Sequence, residues 1–417
     1  MESDKKRETR RALLPLLLIV FLDMLGVGIV IPIFASLFFD PAHAIVQGYS
    51  EQIKSIMYGF LIALYPLAQF FGAPILGALS DRYGRKKLLL VSVSGSFIGW
   101  LLFAIGVLNA NLPLMFFARI IDGFTGGSIA IANSAIADIS DRKNKVRNFG
   151  LMGFMFGIGF ILGPFIGGVL SDSSLVSWFS FSLPFFATAG LTLFNIIMII
   201  FLFEETLKYR VKGKFTLFKG VENIQKAFTL VNLRTMLFIS FLLTLGFNSY
   251  TSFFQLMLID KFHFTERDIG MFFAFIGLCI AITQGTIVRY TSKRYGPEKI
   301  LRFSIIGLSI AFLLMVLPSK IGYLYAITAF MAIFQGLTGP NATAVVSNLA
   351  DKKSQGETLG INQSLQSLGS AIPPIVGGFF VSLHLTLPIL IASLLTLISG
   401  VMFMKFYHKN KEKFHEI

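Results

Sequence analysis

The sequence predicts an all-α polytopic membrane protein, with twelve transmembrane helices in two pseudo-symmetric six-helix bundles. Three observations predict it. The 417-residue chain is 54% hydrophobic and only 14% charged, against roughly 25% charge in a soluble globular domain. Apolar runs of about 20 residues recur along its whole length, each able to cross ~30 Å of hydrocarbon as a helix. Blocks of sequence from the first half return in the same order in the second. No strand-period alternation is evident, which argues against a membrane barrel.

A basic, polar tail (1–11, MESDKKRETRR) precedes the first span. That span is too long for a signal-peptide core and no small-residue cleavage site follows it, so it reads as retained. The first bundle covers 12–203, with spans near 12–38, 53–79, 87–107, 112–137, 147–171 and 182–203. Residues 204–232 break the apolar pattern and form the longest connection. Phe215, Phe218, Val221, Ile224 and Phe228 recur there at roughly helical spacing, giving either an interfacial helix or a solvated linker. The second bundle covers 233–405, with spans near 233–259, 267–289, 299–318, 321–348, 357–382 and 385–405, and a tail at 406–417.

The net charge of +14 invites a nucleic-acid reading that its distribution refuses. With the N-terminus inside, all but five of the 36 Lys and Arg fall in cytoplasmic segments. Lys54, Lys261, Arg267 and Lys320 fall outside, and Arg119 lies within a span. This is the positive-inside pattern. It predicts both termini in the cytoplasm and no nucleic-acid partner. The single cysteine, Cys279, excludes an internal disulfide.

The repeat is carried by four blocks. NFGLMGFMFGIGFILGPFIGGVL (148–170) aligns with TLGINQSLQSLGSAIPPIVGGFF (358–380), and GFTGGSIAIANSAIAD (123–138) with GLTGPNATAVVSNLAD (336–351). DRYGRKK (81–87) aligns with KRYGPEK (293–299), and FLDMLG (21–26) with FLLTLG (241–246). Two like halves suit rocking about a central site.

Four stretches carry polar chemistry. The loop GALSDRYGRKK (77–87) holds Gly77, Asp81, Arg82, Gly84 and Arg85. Gly84 suits a tight turn, and Asp81 can face a helix N-terminus, where negative charge is favoured. GFILGPFIGG (159–168) places Gly159, Gly163, Gly167 and Gly168 around Pro164. Small residues let helices approach closely, and the proline removes one helix hydrogen bond. FARIIDGFTGG (117–127) puts Arg119 inside a span, where it needs a partner. Asp122, three residues on, shares its helix face. Asp23 lies ~16 Å from the edge of span one, a depth that matches Arg119 to within a turn. Leu243 stands at the equivalent of Asp23 in the repeat, so packing does not require an acid there.

The loop resembles the signature of the major facilitator superfamily, and the glycine–proline stretch resembles its antiporter motif at every fixed position. With LDMLGVGIVIPI in span one, nearly the whole chain is similar to the twelve-span drug:proton antiporter branch, the tetracycline-resistance type. The resemblance implies a proton-coupled antiporter exporting a small organic, drug-like, amphiphilic or metabolite substrate. It assigns Asp23 as the proton-linked acid and Arg119 as its partner. The loop with Asp81 becomes a conformational latch, and Gly163–Pro164 elements of the exchange helix. Asp122 departs from the family pattern and is either a second protonation site or a fixed counter-ion. A symporter importing an organic solute is the alternative on the same fold.

Other polar residues within spans are Gln69, Asn133, Asn195, Asn248, Gln255, Gln335, Asn341, Asn362, Gln363 and Gln366. Each reads first as a helix–helix hydrogen bond. Tyr65, Gln69, Asn248, Tyr250, Phe254, Asn341, Gln363 and Gln366 are the candidates for a substrate cavity. No metal-ligand cluster, nucleophile–base set or ATP-gripping GxxxxGK[ST] loop appears. The expectation is therefore a non-enzyme without cofactor or metal, driven by protons. It should work as a monomer in the lipid bilayer of the cytoplasmic (inner) membrane.

Overall fold

The computed structural model describes residues 2–40, 45–46, 48–139, 142–207, 219–229, 233–292, 294–350 and 355–411. Among them the regular structure is helical throughout. The first half contains α1 (Glu2–Phe39), α2 (Glu51–Tyr83), α3 (Arg85–Leu108), α4 (Leu112–Thr125), α5 (Ser128–Ile139), α6 (Arg142–Ser171) and α7 (Leu183–Leu202). A linker helix, α8 (Lys219–Thr229), follows. The second half contains α9 (Arg234–Phe262), α10 (Glu266–Thr283), α11 (Arg289–Thr291), α12 (Pro297–Leu314), α13 (Ile321–Leu349), α14 (Gln355–Leu383) and α15 (Leu387–Lys409). Of the linker's apolar positions, Phe215 and Phe218 lie outside the described residues, as does Lys293 of the second-half loop.

Among the described residues, 11 spans are long and apolar enough to cross a membrane. The twelfth expected span is α12, whose first turns carry Glu298, Lys299 and Arg302. Phe201 of α7 and Phe303 of α12 are each at least 66% exposed. Side chains of that size left open along spanning helices face lipid, not water.

Two expected spans are not single α-helices. Span four breaks between α4 and α5 at Gly126–Gly127. A Cβ on Gly126 would lie 2.7 Å from Tyr65 Oη, and one on Gly127 would lie 2.7 Å from Ala73 Cα. The pair lets the chain sit directly on α2, and the Gly126 carbonyl accepts from Gln69 Nε2 at 3.1 Å. Span eight passes through a π-helical turn, Gln284–Val288, between α10 and α11.

The chain packs as two compact units. The first comprises Met1–Gln47, Leu64–Lys219 and Thr265–Ala274, and the second Gly48–Ala63, Gly220–Phe264 and Phe275–Ile417. Within the first, α1 packs on α6 and α7, and α3 on α4 and α7. Within the second, α9 packs on α14 and α15, and α12 on α13 and α15. Matched by the sequence repeat, these are the same pairings. Leu16, Leu89, Ile131, Ile136, Ile199 and Phe203 are buried in one core. Met236, Leu301, Ile305, Val346 and Phe403 are buried in the other.

The start of α10 belongs to the first unit and the start of α2 to the second, and both use one device. A Cβ on Gly270 would lie 2.4 Å from the Pro164 carbonyl oxygen. One on Gly59 would lie 2.0 Å from that of Pro374. Pro164 and Pro374 are repeat equivalents, so the glycine–proline crossing occurs once in each unit. Beside the second crossing, Tyr58 Oη donates to the Ser252 carbonyl at 2.7 Å and accepts from Gln255 Nε2.

Candidate functional site

The buried charges of the first unit come from α1, α2 and α4. On α4, Arg119 is 4% exposed and Asp122 3%. Their i, i+3 spacing brings Arg119 Nη1 to 3.8 Å from Asp122 Oδ2. Gly99 of α3 makes room for the acid, since a Cβ there would lie 2.7 Å from Asp122 Cβ. On α1, Asp23 Oδ1 accepts from Tyr65 Oη at 2.6 Å. Gln69, one turn along α2, approaches the same hydroxyl at 3.4 Å.

The sequence offers Arg119 two acidic partners, Asp23 at its own depth and Asp122 on its own helix face. The carboxylate within ion-pair reach of Arg119 is Asp122. Tyr65 stands between the other two. Its hydroxyl holds Asp23, while its ring lies under the guanidinium, with Cζ 4.9 Å from the centroid. Phe34 offers a second ring face at 5.6 Å. Such cation–π contacts offset part of a guanidinium's desolvation. Asp23 Oδ2, Arg119 Nε and Asp122 Oδ2 are buried and have no hydrogen-bond partner.

Removing the tyrosine hydroxyl should therefore be costly. Tyr65→Phe is expected to destabilise the purified protein by ~1–3 kcal/mol, the range for stranding a buried acceptor. The loss should largely vanish in an Asp23→Leu background, which has no acceptor to strand, and a double-mutant cycle on thermal unfolding would read this. Purely additive losses would show that the bond is not doing this.

The glycine motif of α6 abuts the turns of α1 that carry Asp23. Cβ atoms on Gly159, Gly163 and Gly167 would lie 2.5, 2.6 and 2.8 Å from the carbonyl oxygens of Phe21, Leu25 and Ile29. Gly168 faces the start of α10 instead, 2.7 Å from the Glu266 carbonyl oxygen by the same measure.

The 77–87 loop is organised by an acid that the motif does not contain. Glu205 Oε1 accepts from the Arg85 backbone N–H at 2.8 Å, and Oε2 from that of Lys86 at 3.2 Å. It thus caps the N-terminus of α3, the position the sequence offered to Asp81. Asp81 instead pairs with Arg85 Nη2 at 2.6 Å, and Arg85 Nε reaches Asp138 at 3.2 Å. Gly84 turns the chain at φ +106°, where a Cβ would also lie 2.3 Å from Glu205 Oε2. Arg82 stacks near Tyr83, 5.3 Å from the ring centroid. Glu205→Ala should cost ~1 kcal/mol, as for loss of a helix cap. Thermal unfolding would show it, and an unchanged midpoint would mean the cap contributes nothing.

The remaining cavity candidates sit in the second unit, except Tyr65 and Gln69. Asn248 Nδ2 donates to Thr244 O at 3.0 Å and Ser370 Oγ at 3.2 Å, joining α9 to α14. Asn341 Nδ2 returns to its own helix at Leu337 O, 2.7 Å away. Tyr250 is fully buried, 4.5 Å from Phe254 and 5.1 Å from Phe312 between ring centroids. Gln363 is exposed and Gln366 half-buried on α14.

Two six-span halves with matched internal pairings, and an acid–arginine cluster inside one of them, define a polytopic membrane transporter. The Major Facilitator Superfamily profile matches residues 16–259 and 236–416. The chain is 31% identical over 370 residues to the class C tetracycline resistance protein of Escherichia coli, covering 88% of this chain and 89% of that one. It is 29% identical over 409 residues to multidrug resistance protein 1 of Bacillus subtilis (strain 168), covering 95% and 96%. Among solved structures, a D-xylose–proton symporter superposes with a TM-score of 0.79 at 16% identity, covering 95% and 97%, which bears on the fold alone.

The chain belongs to the major facilitator superfamily, in its drug-efflux branch. It is a multi-pass membrane transporter of small organic molecules and not an enzyme.

Proposed function

We propose that this transporter is a proton-coupled antiporter that exports drug-like, amphiphilic or metabolite substrates across the cytoplasmic membrane. The observation that carries the reading is the charge count of the buried cluster. Arg119 faces two acids, Asp23 and Asp122, so the fully ionised set holds one excess negative charge away from water. Uncompensated buried charge is expensive, and one proton neutralises the cluster. That proton weakens the hold of Asp23 on Tyr65 and Arg119 and lowers the barrier between transport states. Asp122 and Arg119 then remain as a balanced pair.

The driving force is the proton gradient, and no cofactor takes part. Each proton crossing 100 mV supplies ~2.3 kcal/mol. The protein works as a monomer with both termini in the cytoplasm, as its basic segments favour. The names of its relatives point to tetracycline and a mixed panel of drugs as probes.

The test is uptake by proteoliposomes with imposed pH gradients, using tetracycline and that drug panel. Antiport predicts accumulation in acid-loaded vesicles, with proton efflux registered by a trapped pH dye. Accumulation only in alkaline-loaded vesicles would establish symport instead. Absence of gradient-driven flux for every probe would end the proton-coupled reading.

A further inference from the structure

Beside Asp23 lies a cavity of about 20 Å³. Its polar lining comes from four other residues: Ser96 of α3, Ser128 of α5, and Thr192 and Asn195 of α7. It is far too small for an organic substrate, but it exceeds the ~10–15 Å³ that one water needs. Its most telling residue is Asn195, which is 0% exposed. Neither Asn195 Nδ2 nor Oδ1 has a hydrogen-bond partner in the protein. Across the cavity, Asp23 Oδ2 also lacks one.

A buried amide left doubly unsatisfied costs several kcal/mol, so something must meet it. The occupant has to accept a hydrogen bond from Nδ2 and donate one to Oδ1 or Asp23. A metal cation can serve the oxygens but leaves the N–H without an acceptor. A water molecule satisfies both.

Two hydroxyls of the lining are already committed as donors. Ser96 Oγ lies 3.3 Å from Thr125 Oγ1. Thr125 already donates its own hydroxyl hydrogen to Ile121 O at 2.8 Å. Ser96 is thus the donor in that contact and offers the cavity lone pairs. Thr192 likewise donates to Thr188 O at 2.8 Å and leaves only lone pairs to the cavity.

We propose that the cavity is a one-water site, and that Asn195 positions this water on Asp23 Oδ2. The water donates to Asp23 when it is a carboxylate and accepts from it when it is a carboxyl. Its remaining hydrogen bonds go to the Asn195 amide and to the lone pairs of Ser96 and Thr192. The amide suits this role because it can donate to the water or accept from it, and so serves both protonation states of Asp23. The titratable and charged groups facing Asp23 are Tyr65 from α2 and Arg119 and Asp122 from α4. That Asp23 changes its protonation state during transport rests on the proton-coupled reading above; the water site does not.

The test is infrared difference spectroscopy of the full protein in nanodiscs between acid and alkaline pH, in H₂¹⁶O and H₂¹⁸O. Wild type should show an ¹⁸O-sensitive water O–H band, and a carboxyl band assigned to Asp23 by its loss in Asp23→Asn. Asn195→Leu keeps the side-chain size but removes the polar atoms. It should abolish the water band and shift the Asp23 carboxyl band. Ser96→Ala, which removes a single lining oxygen, should shift the water band. It also covers the case in which Asn195→Leu does not fold.

Persistence of the water band in Asn195→Leu, or an unchanged spectrum in Ser96→Ala, overturns the proposal. So does a rise in wild-type unfolding temperature when sodium replaces choline, which would make the occupant a cation. A water band present in a protein with no proton-coupled flux would sink the coupling reading while leaving the water site standing.

Discussion

Asp23→Asn is expected to abolish gradient-driven accumulation while sparing substrate exchange. Asparagine keeps the size of the side chain and an oxygen that can still accept the 2.6 Å bond from Tyr65. The local packing should therefore hold. What is lost is the ability to bind and release a proton. The cluster is fixed at the charge of its protonated form, with Arg119 and Asp122 in balance, and the swing between states no longer waits on a proton. At 100 mV the missing ~2.3 kcal/mol per proton corresponds to about a 50-fold drop in the accumulation ratio. Counterflow, in which labelled substrate exchanges for unlabelled substrate without a gradient, should persist. Undiminished accumulation by the variant would remove Asp23 from coupling. Loss of counterflow as well would mean that the residue acts in binding instead.

The reach of the sequence follows from what hydropathy encodes. Periodic apolar runs fix the depth of a residue in the membrane, and depth put Asp23 and Arg119 at one level. Azimuth is not encoded in that way. The lateral order Asp23–Tyr65–Arg119 depends on how α1, α2 and α4 rotate about their axes, so depth alone leaves open which of the two acids meets Arg119. Tyr65 was legible only as one polar-tipped residue among several. In the sequence Asn195 is a polar residue inside a span, and that alone points to an interhelical bond. Its lack of any protein partner is a property of four helices at once and leaves no mark on one. Glu205 sits just past the end of α7 and reads as linker, although it caps α3 more than a hundred residues earlier in the chain. The glycine stripe is the opposite case. Its four-residue spacing fixes a face without reference to any other helix, so its close-packing role could be read directly.

That stripe carries the second large effect. Gly163→Val is expected to disrupt the α1–α6 crossing and with it transport. A Cβ at Gly163 would lie 2.6 Å from Leu25 O and 2.8 Å from Gly28 Cα. Both are backbone atoms, so no rotamer change relieves the overlap and the helices must separate. Overpacking of this kind costs ~1–3 kcal/mol. The displaced segment of α1 is the turn that bears Asp23, bracketed by the Phe21 and Leu25 carbonyls against which Gly159 and Gly163 pack. Moving it pulls the acid from Tyr65 and from the Asn195 cavity together. Gly157 supplies the control on the same helix, because a Cβ there meets nothing within 4 Å. Gly157→Ala should be neutral, or stabilising by up to ~1 kcal/mol through helix propensity, with transport retained. Thermal unfolding and gradient-driven uptake measured on both variants separate the two cases. If the two substitutions behave alike, the effect belongs to helix propensity and not to the crossing.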